Sequence, residues 1–333
     1  MRMYMIKMRS MNIRRFLIIV LACGFAACGK EEHPVPTEGL EPFFSLPQGN
    51  HDYDNTIMTW HEKYGFYALY KFEHKDVYWN NNGWNELRPM ADWDLRGGLL
   101  GEPADTNYVG QQLEMIQAYF LDRFPEEYLH HLPLKMFLCS ELWTGEYKAV
   151  FQPSGEYETE LITRPIWNFS GYGSLAITGG GAAVEQYNAE DKLAFAQSIG
   201  CYFGGVLIDK EVLTPPDEFF EIAKSAYVSS SVNLSGVNLF KVGLLNKTVV
   251  KATSTVESSL KNDFISYVSL VIGNTYAKLN GTPGTITDYN NPAVDGVFDV
   301  TRDVNGLVKQ KYDIVAAYLR DKGIDVEFYQ DGE

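Results

Sequence analysis

Histidine, cysteine and carboxylate groups spaced for one helix face are what a protein uses to build a metal centre, and this chain distributes them unevenly. All six histidines, at positions 33, 51, 61, 74, 130 and 131, precede residue 132. A catalytic zinc takes three protein ligands from His, Glu, Asp and Cys and leaves one position open. His61-Glu62 is half of a His-Glu-x-x-His pattern, in which two histidines four apart share a zinc and the glutamate deprotonates the metal-bound water. Gly65 stands where the second histidine belongs, so the pair reads as a solvated helix face. His130-His131 are adjacent and face differently, which suits only adventitious metal. A nucleophilic set of Cys139, His130 and an aspartate requires an exposed thiol, and the neighbours Leu134-Lys135-Met136-Phe137-Leu138 read as a buried strand. Gly179-Gly180-Gly181 lacks the Gly-Lys-Ser/Thr of a phosphate loop and reads as a turn. Trp79, Trp84 and Trp93 offer a platform for sugar rings, although core and loop anchoring is the commoner use of such residues. Carboxylates are too numerous to pick out a glycosidase pair.

Cys28 carries a different chemistry. Arg14-Arg15 followed by the apolar run Phe16 to Ala27 has the form of a secretory signal, and the run is shorter than the roughly 18 residues that span a bilayer. Phe25-Ala26-Ala27-Cys28 resembles a bacterial lipobox, in which the cysteine sulfur is acylated and the residue becomes the new N-terminus. Each buried methylene contributes about 0.8 kcal/mol, so one acyl chain holds marginally and two or three hold firmly. Cleavage at the competing Cys23 leaves the apolar Gly24-Phe25-Ala26-Ala27 at the mature surface, which favours Cys28. Lys30-Glu31-Glu32 is similar to the surface-export signal of Bacteroidetes lipoproteins. The expected organisation is a lipoprotein signal peptide over 1–27, a tether over 28–50 and a folded domain over 51–330. The expected location is the outer membrane, held by lipid and facing the cell surface.

Loss of residues 1–27 removes five basic residues and no acid, taking the formal net charge from −15 to −20. Without a cluster of Lys and Arg to release counterions, nucleic acid is excluded as a partner. Cys139 and Cys201 are too few for a disulfide framework and read as small buried hydrophobes. The domain is large enough to bury a sizeable core.

The apolar spacing of Ile57, Trp60 and Tyr64 predicts a helix ending at Gly65, then a strand over 66–72. Residues 76–101, with the three tryptophans, read as a long loop. Val109, Leu113, Ile116 and Tyr119 predict an amphipathic helix broken at Pro125. Strands are expected over 134–139 and 174–178. Asn188-Ala189-Glu190-Asp191 opens a helix with acids in its first turn, where the dipole favours them, and Leu193, Ala196, Ile199, Phe203 and Val206 give it an apolar stripe. A short helix follows Pro216. Residues 229–258 are uninformative, helices are expected over 263–277 and 308–322, and residues 281–306 read as loop.

Asp54-Asn55-Thr56-Ile57 with Tyr64-Gly65, Pro216-Asp217-Glu218-Phe219 with Tyr227, Asn262-Asp263-Phe264, and Tyr318-Leu319 with Gly323-Ile324-Asp325-Val326 together resemble the zinc-binding metallopeptidase lipoproteins that accompany outer-membrane nutrient-import systems in Bacteroidetes. The match runs over residues 42–328 and rests on order and spacing. It implies an α+β fold with a zincin-like core, a sheet flanked by helices, and a helical His-Glu-x-x-His. Here the corresponding helix reads Ser198-Ile199-Gly200-Cys201-Tyr202-Phe203-Gly204-Gly205. Gly200 and Gly204 stand in the histidine positions and Cys201 in that of the glutamate, and Asn262 stands where a glutamate precedes Asp263-Phe264. Zinc, the family's cofactor, is therefore not supported and no cofactor is expected. Glycines in a helix cost about 1 kcal/mol each relative to alanine, so Gly200, Gly204 and Gly205 predict close packing by a neighbouring segment. The function implied is a non-catalytic, metallopeptidase-like binding component beside an outer-membrane importer, with a peptide or glycan ligand. The alternatives are an active zinc metallopeptidase with ligands elsewhere, and a glycan-binding lipoprotein using Trp79, Trp84 and Trp93.

Overall fold

A computed structural model describes residues 44–80, 83–84, 97–228, 239–245, 255–284 and 291–331. The chain divides into Met1–Ser45 and Leu46–Glu333, and the architecture below is that of the second unit. Cys28, the signal peptide and Trp93 lie outside the described residues.

Helix α1 (Asp52–Tyr64) buries Ile57, Trp60 and Tyr64, and Gly65 closes it at φ 85°, a left-handed conformation that glycine adopts at little cost. Strand β1 (Tyr67–Leu69) follows, then α2 (His74–Tyr78), β2 (Trp79–Asn80), β3 (Gly83–Trp84) and β4 (Gly98–Pro103). Helices α3 (Val109–Tyr119) and α4 (Glu126–Leu129) lead into β5 (Lys135–Phe151), β6 (Tyr157–Pro165), β7 (Asn168–Gly171) and β8 (Ser174–Ile177). The rest is helical: α5 (Ala189–Asp209), α6 (Asp217–Val228), α7 (Val256–Ile272), α8 (Tyr276–Leu279), α9 (Leu307–Asp321) and α10 (Val326–Asp331).

The class is α+β, with a mixed sheet flanked by helices. The sheet runs β1-β5-β8-β7, with β1, β5 and β8 parallel and β7 antiparallel at the edge. Strand β5 serves two neighbourhoods. Its first residues, Lys135 to Leu138, pair with β1 and β8, and its later ones pair antiparallel with β4 and β6. At Cys139 the sheet therefore splits. Phe120 and Phe124, just after α3, meet Phe203 of α5 edge-on at 5.6 Å and 4.9 Å, and one hydrophobic core runs through the helices and the inner strands.

Several expectations need correction. The segment read as a loop over 76–101 contains the end of α2, the β2–β3 ribbon and the start of β4. The strand read over 134–139 is the first third of a 17-residue strand. Its continuation escaped notice because residues after Leu142 alternate weakly and lie largely exposed on both faces, so no apolar period marks them. Helix α7 begins at Val256, capped by the Thr255 hydroxyl accepting from Ser258 N at 3.1 Å, and ends at Ile272 instead of Ala277. Among the described residues no helix is long and apolar enough to cross a membrane.

Candidate functional site

The helix that the resemblance makes functional is α5. Asn188 and Asp191 form a reciprocal cap at its start, each side chain accepting from the other's backbone N–H at 3.0 Å and 3.1 Å. The helix lies beside the edge strand β7, to which it is tied by Ser198 Oγ donating to Asn168 Oδ1 at 2.7 Å. Gly200 and Gly204 are both buried and face away from β7, into helix packing. A Cβ on Gly200 would lie 2.8 Å from Ile272 Cγ2 and 2.8 Å from the Tyr329 hydroxyl, and one on Gly204 would lie 2.9 Å from Val268 Cγ1. The space that side chains at these positions would occupy is filled by α7 and α10. Gly205 departs from the expectation of close packing, since a Cβ there would meet nothing within 4 Å.

Cys201 is half-buried, with its thiol 3.6 Å from the Ser269 carbonyl. Burial pushes the thiol up to about 12, so it is not a ready nucleophile at neutral pH. Cys139 is fully buried and its thiol is pushed up in the same way, which removes the Cys139–His130 set. His61 Nδ1 lies 3.1 Å from the Phe66 carbonyl and its ring lies on Tyr67 at 4.3 Å, which gives it a structural task at the end of α1. Among the described residues no three His, Cys, Asp or Glu converge as a metal site would require. Trp79 is half exposed and stands in register opposite Trp84 across the β2–β3 ribbon.

The residues that carry the family resemblance gather elsewhere. Lys311 of α9 is fully buried and donates to Asp263 Oδ2 of α7, to the Tyr227 hydroxyl at 2.9 Å and to the Gly243 carbonyl at 3.0 Å. Tyr227 donates to the same Asp263 oxygen at 2.5 Å. The ammonium sits 4.0 Å from the centre of the Phe219 ring and 4.5 Å from that of Tyr267. Burial pushes the Asp263 carboxyl up and the Lys311 ammonium down, and the charge of each opposes the shift of the other. At the other end of the domain, Asp54 accepts from His51 N at 2.8 Å and from the Tyr70 hydroxyl at 3.0 Å. Asp263, Phe219, Tyr227 and Asp54 therefore hold helices and strands together.

A second feature is a crevice where the sheet splits. Gln112, buried on α3, places its amide nitrogen 3.0 Å, 3.1 Å and 3.3 Å from the carbonyls of Ile177, Thr178 and Cys139, so its two N–H groups bridge the ends of β5 and β8 where they diverge, and the Cys139 carbonyl also accepts from Gly180 N at 2.8 Å. Gly180 completes the arrangement, because a Cβ there would lie 2.5 Å from both Ala104 Cβ and Gln112 Oε1. The glycine run, expected as a turn, is an irregular link after β8 that bends only at Gly181, and this contact is why Gly180 must be glycine. Beyond the turn a cavity of about 380 Å³ is lined by Glu141, Trp143, Trp167, Thr178, Tyr187 and Asp191, among others. Trp167 meets Tyr187 at 5.3 Å and Phe195 at 5.9 Å, both nearly perpendicular. Of these residues only Asp191, as a first-turn acid, and Thr178, as a strand end, are marked in the sequence, and neither is marked as part of a site. A glutamine at a helix position otherwise given to the apolar stripe is the one signal that could have pointed there.

No protein-family model, curated protein or solved structure matches this chain.

Proposed function

We propose that this chain is a lipid-anchored, non-catalytic binding protein built on a zincin-like core whose metal face has been filled. The observation that carries the reading is the packing of Val268, Ile272 and Tyr329 onto Gly200 and Gly204. Two histidines at those positions have no room, and no carboxylate stands beside them to serve as base. The zincin-like assignment is supported by the sheet, in which the antiparallel strand β7 borders the helix that follows β8. The framework role of Asp54, Phe219, Tyr227 and Asp263 explains how the family pattern outlasts the zinc motif: those residues serve the fold, and a fold can keep them after its helix loses its ligands. Partnership with an outer-membrane importer follows from the resemblance alone. A peptide-library hydrolysis assay tests the reading. No cleavage above the level of heat-inactivated protein is expected, whereas cleavage that a chelator abolishes and zinc restores would overturn it.

Anchoring gives a separate expected result. Cys28→Ala leaves the protein in the aqueous phase of a detergent partition experiment, while Cys23→Ala partitions like the wild type. The reverse pattern would move the acylation to Cys23.

A further inference from the structure

We infer that the crevice at the β5–β8 split binds an organic cation, a quaternary or alkylated ammonium group carried on a small apolar body. The lining supplies what such a group needs. Trp143, Trp167 and Tyr187 are half-buried aromatic residues in the lining, and the rings of Trp167 and Tyr187 stand at 80° to each other. A cation over an aromatic face gains about 0.5–2 kcal/mol, more as it is desolvated. Glu141 and Asp191 add two negative charges at the rim, and among the described residues no lysine, arginine or histidine lines the cavity. Among the described residues, neither carboxylate forms an ion pair.

The charge balance decides between a cation and an anion. Asp191 lies in the first turn of α5, where the helix terminus contributes about half a positive charge. Two carboxylates outweigh it. The Tyr187 hydroxyl is pushed up by its burial and by the negative charges of Asp191 and Glu141, the sign of field that attracts a cation. The chain's net charge of −15 acts in the same direction.

A neutral sugar would also find aromatic surface here. Sugar hydroxyls, however, are commonly met by side chains that donate as well as accept, and the two aliphatic hydroxyls in this crevice are already committed, which leaves only the Tyr187 hydroxyl and the indole N–H groups of Trp143 and Trp167 as donors. Thr178 Oγ1 donates to the Ser140 carbonyl at 3.3 Å and Ser140 Oγ to the Glu102 carbonyl at 3.4 Å. Among the described residues the lining contains no asparagine or glutamine. The volume of about 380 Å³ lies within the range of small-ligand pockets. The site is separate from the glycine face of α5, since Asp191 and Gly200 stand about 13 Å apart along the helix axis at 1.5 Å per residue.

The inference rests on the reading of the chain as a binding protein, and the two can fail separately: zinc-dependent cleavage would sink the first and leave the crevice standing, whereas the titration below addresses only the ligand class. Tryptophan fluorescence of the purified protein is followed during titration with choline, with its neutral isostere 3,3-dimethylbutan-1-ol, and with glucose. Choline gives a saturable change at least about tenfold tighter than the isostere, a difference of 1.4 kcal/mol that matches one cation–aromatic contact with its carboxylate. Glu141→Gln, an exposed position whose change leaves the fold intact, weakens choline and leaves the isostere unaffected. Equal affinity for choline and the isostere, saturable glucose binding that is indifferent to Glu141→Gln, or no saturable response to choline would each overturn the assignment.

Discussion

Lys311→Met lowers the free energy of unfolding by about 3–5 kcal/mol, the usual result of leaving one member of a buried ion pair alone. Lys311 and Asp263 are both fully buried, so removal of the ammonium strands a carboxylate whose second oxygen, Oδ1, has no hydrogen-bond partner among the described residues. The Tyr227 hydroxyl and the Gly243 carbonyl each lose a partner as well. The paired variant Lys311→Met with Asp263→Leu is expected to lose less than Lys311→Met alone, because apolar replacement of both charges removes the desolvation penalty together with the attraction. Urea unfolding of the two single variants and the double variant gives the coupling between them. Additive losses would show that the two groups do not act as a pair.

Gly204→His destabilises the domain by about 1–3 kcal/mol through overpacking, and added zinc does not raise its melting temperature. Even the first atom of the new side chain lies 2.9 Å from Val268 Cγ1 and 3.5 Å from Ile272 Cδ1. The α5–α7 contact must then open, with α7 held in place by Phe264, Tyr267 and Val268 in the core. Thermal melts with and without zinc measure both halves of the expectation. An unchanged melting point, or a clear rise on adding zinc, would mean that the face is open.

How far the sequence could be read depended on whether a residue's task was local. The start of α5 was visible because its cap is made by Asn188 and Asp191, three residues apart. The end of α1 was visible because Gly65 alone supplies the left-handed turn. By contrast β6 and the far half of β5 pair mainly with each other and face solvent on both sides, so they bury too little to impose an alternating pattern. The close packing at Gly200 and Gly204 followed from helix propensity, but which elements come close did not, since α7 and α10 are distant in sequence. Gly205 shows where that inference overreached: one helix turn puts two of the three glycines against α7 and α10 and leaves the third in open space. The crevice was invisible for a related reason. Glu141, Trp143, Trp167, Tyr187 and Asp191 meet only because β5 leaves β8 at Cys139 and Gln112 holds the divergence. Among the residues from which the resemblance was read, Asp54, Phe219, Tyr227 and Asp263 have structural tasks, so they carry no information about a ligand.

The zinc content of the purified protein after mild dialysis, measured by inductively coupled plasma mass spectrometry, tests most directly whether α5 still serves a metal. With Gly200 and Gly204 closed by Val268, Ile272 and Tyr329, and Cys201 held as a neutral thiol, well under one zinc per chain is expected. A single zinc per chain that survives dialysis would contradict the proposed filling of that face.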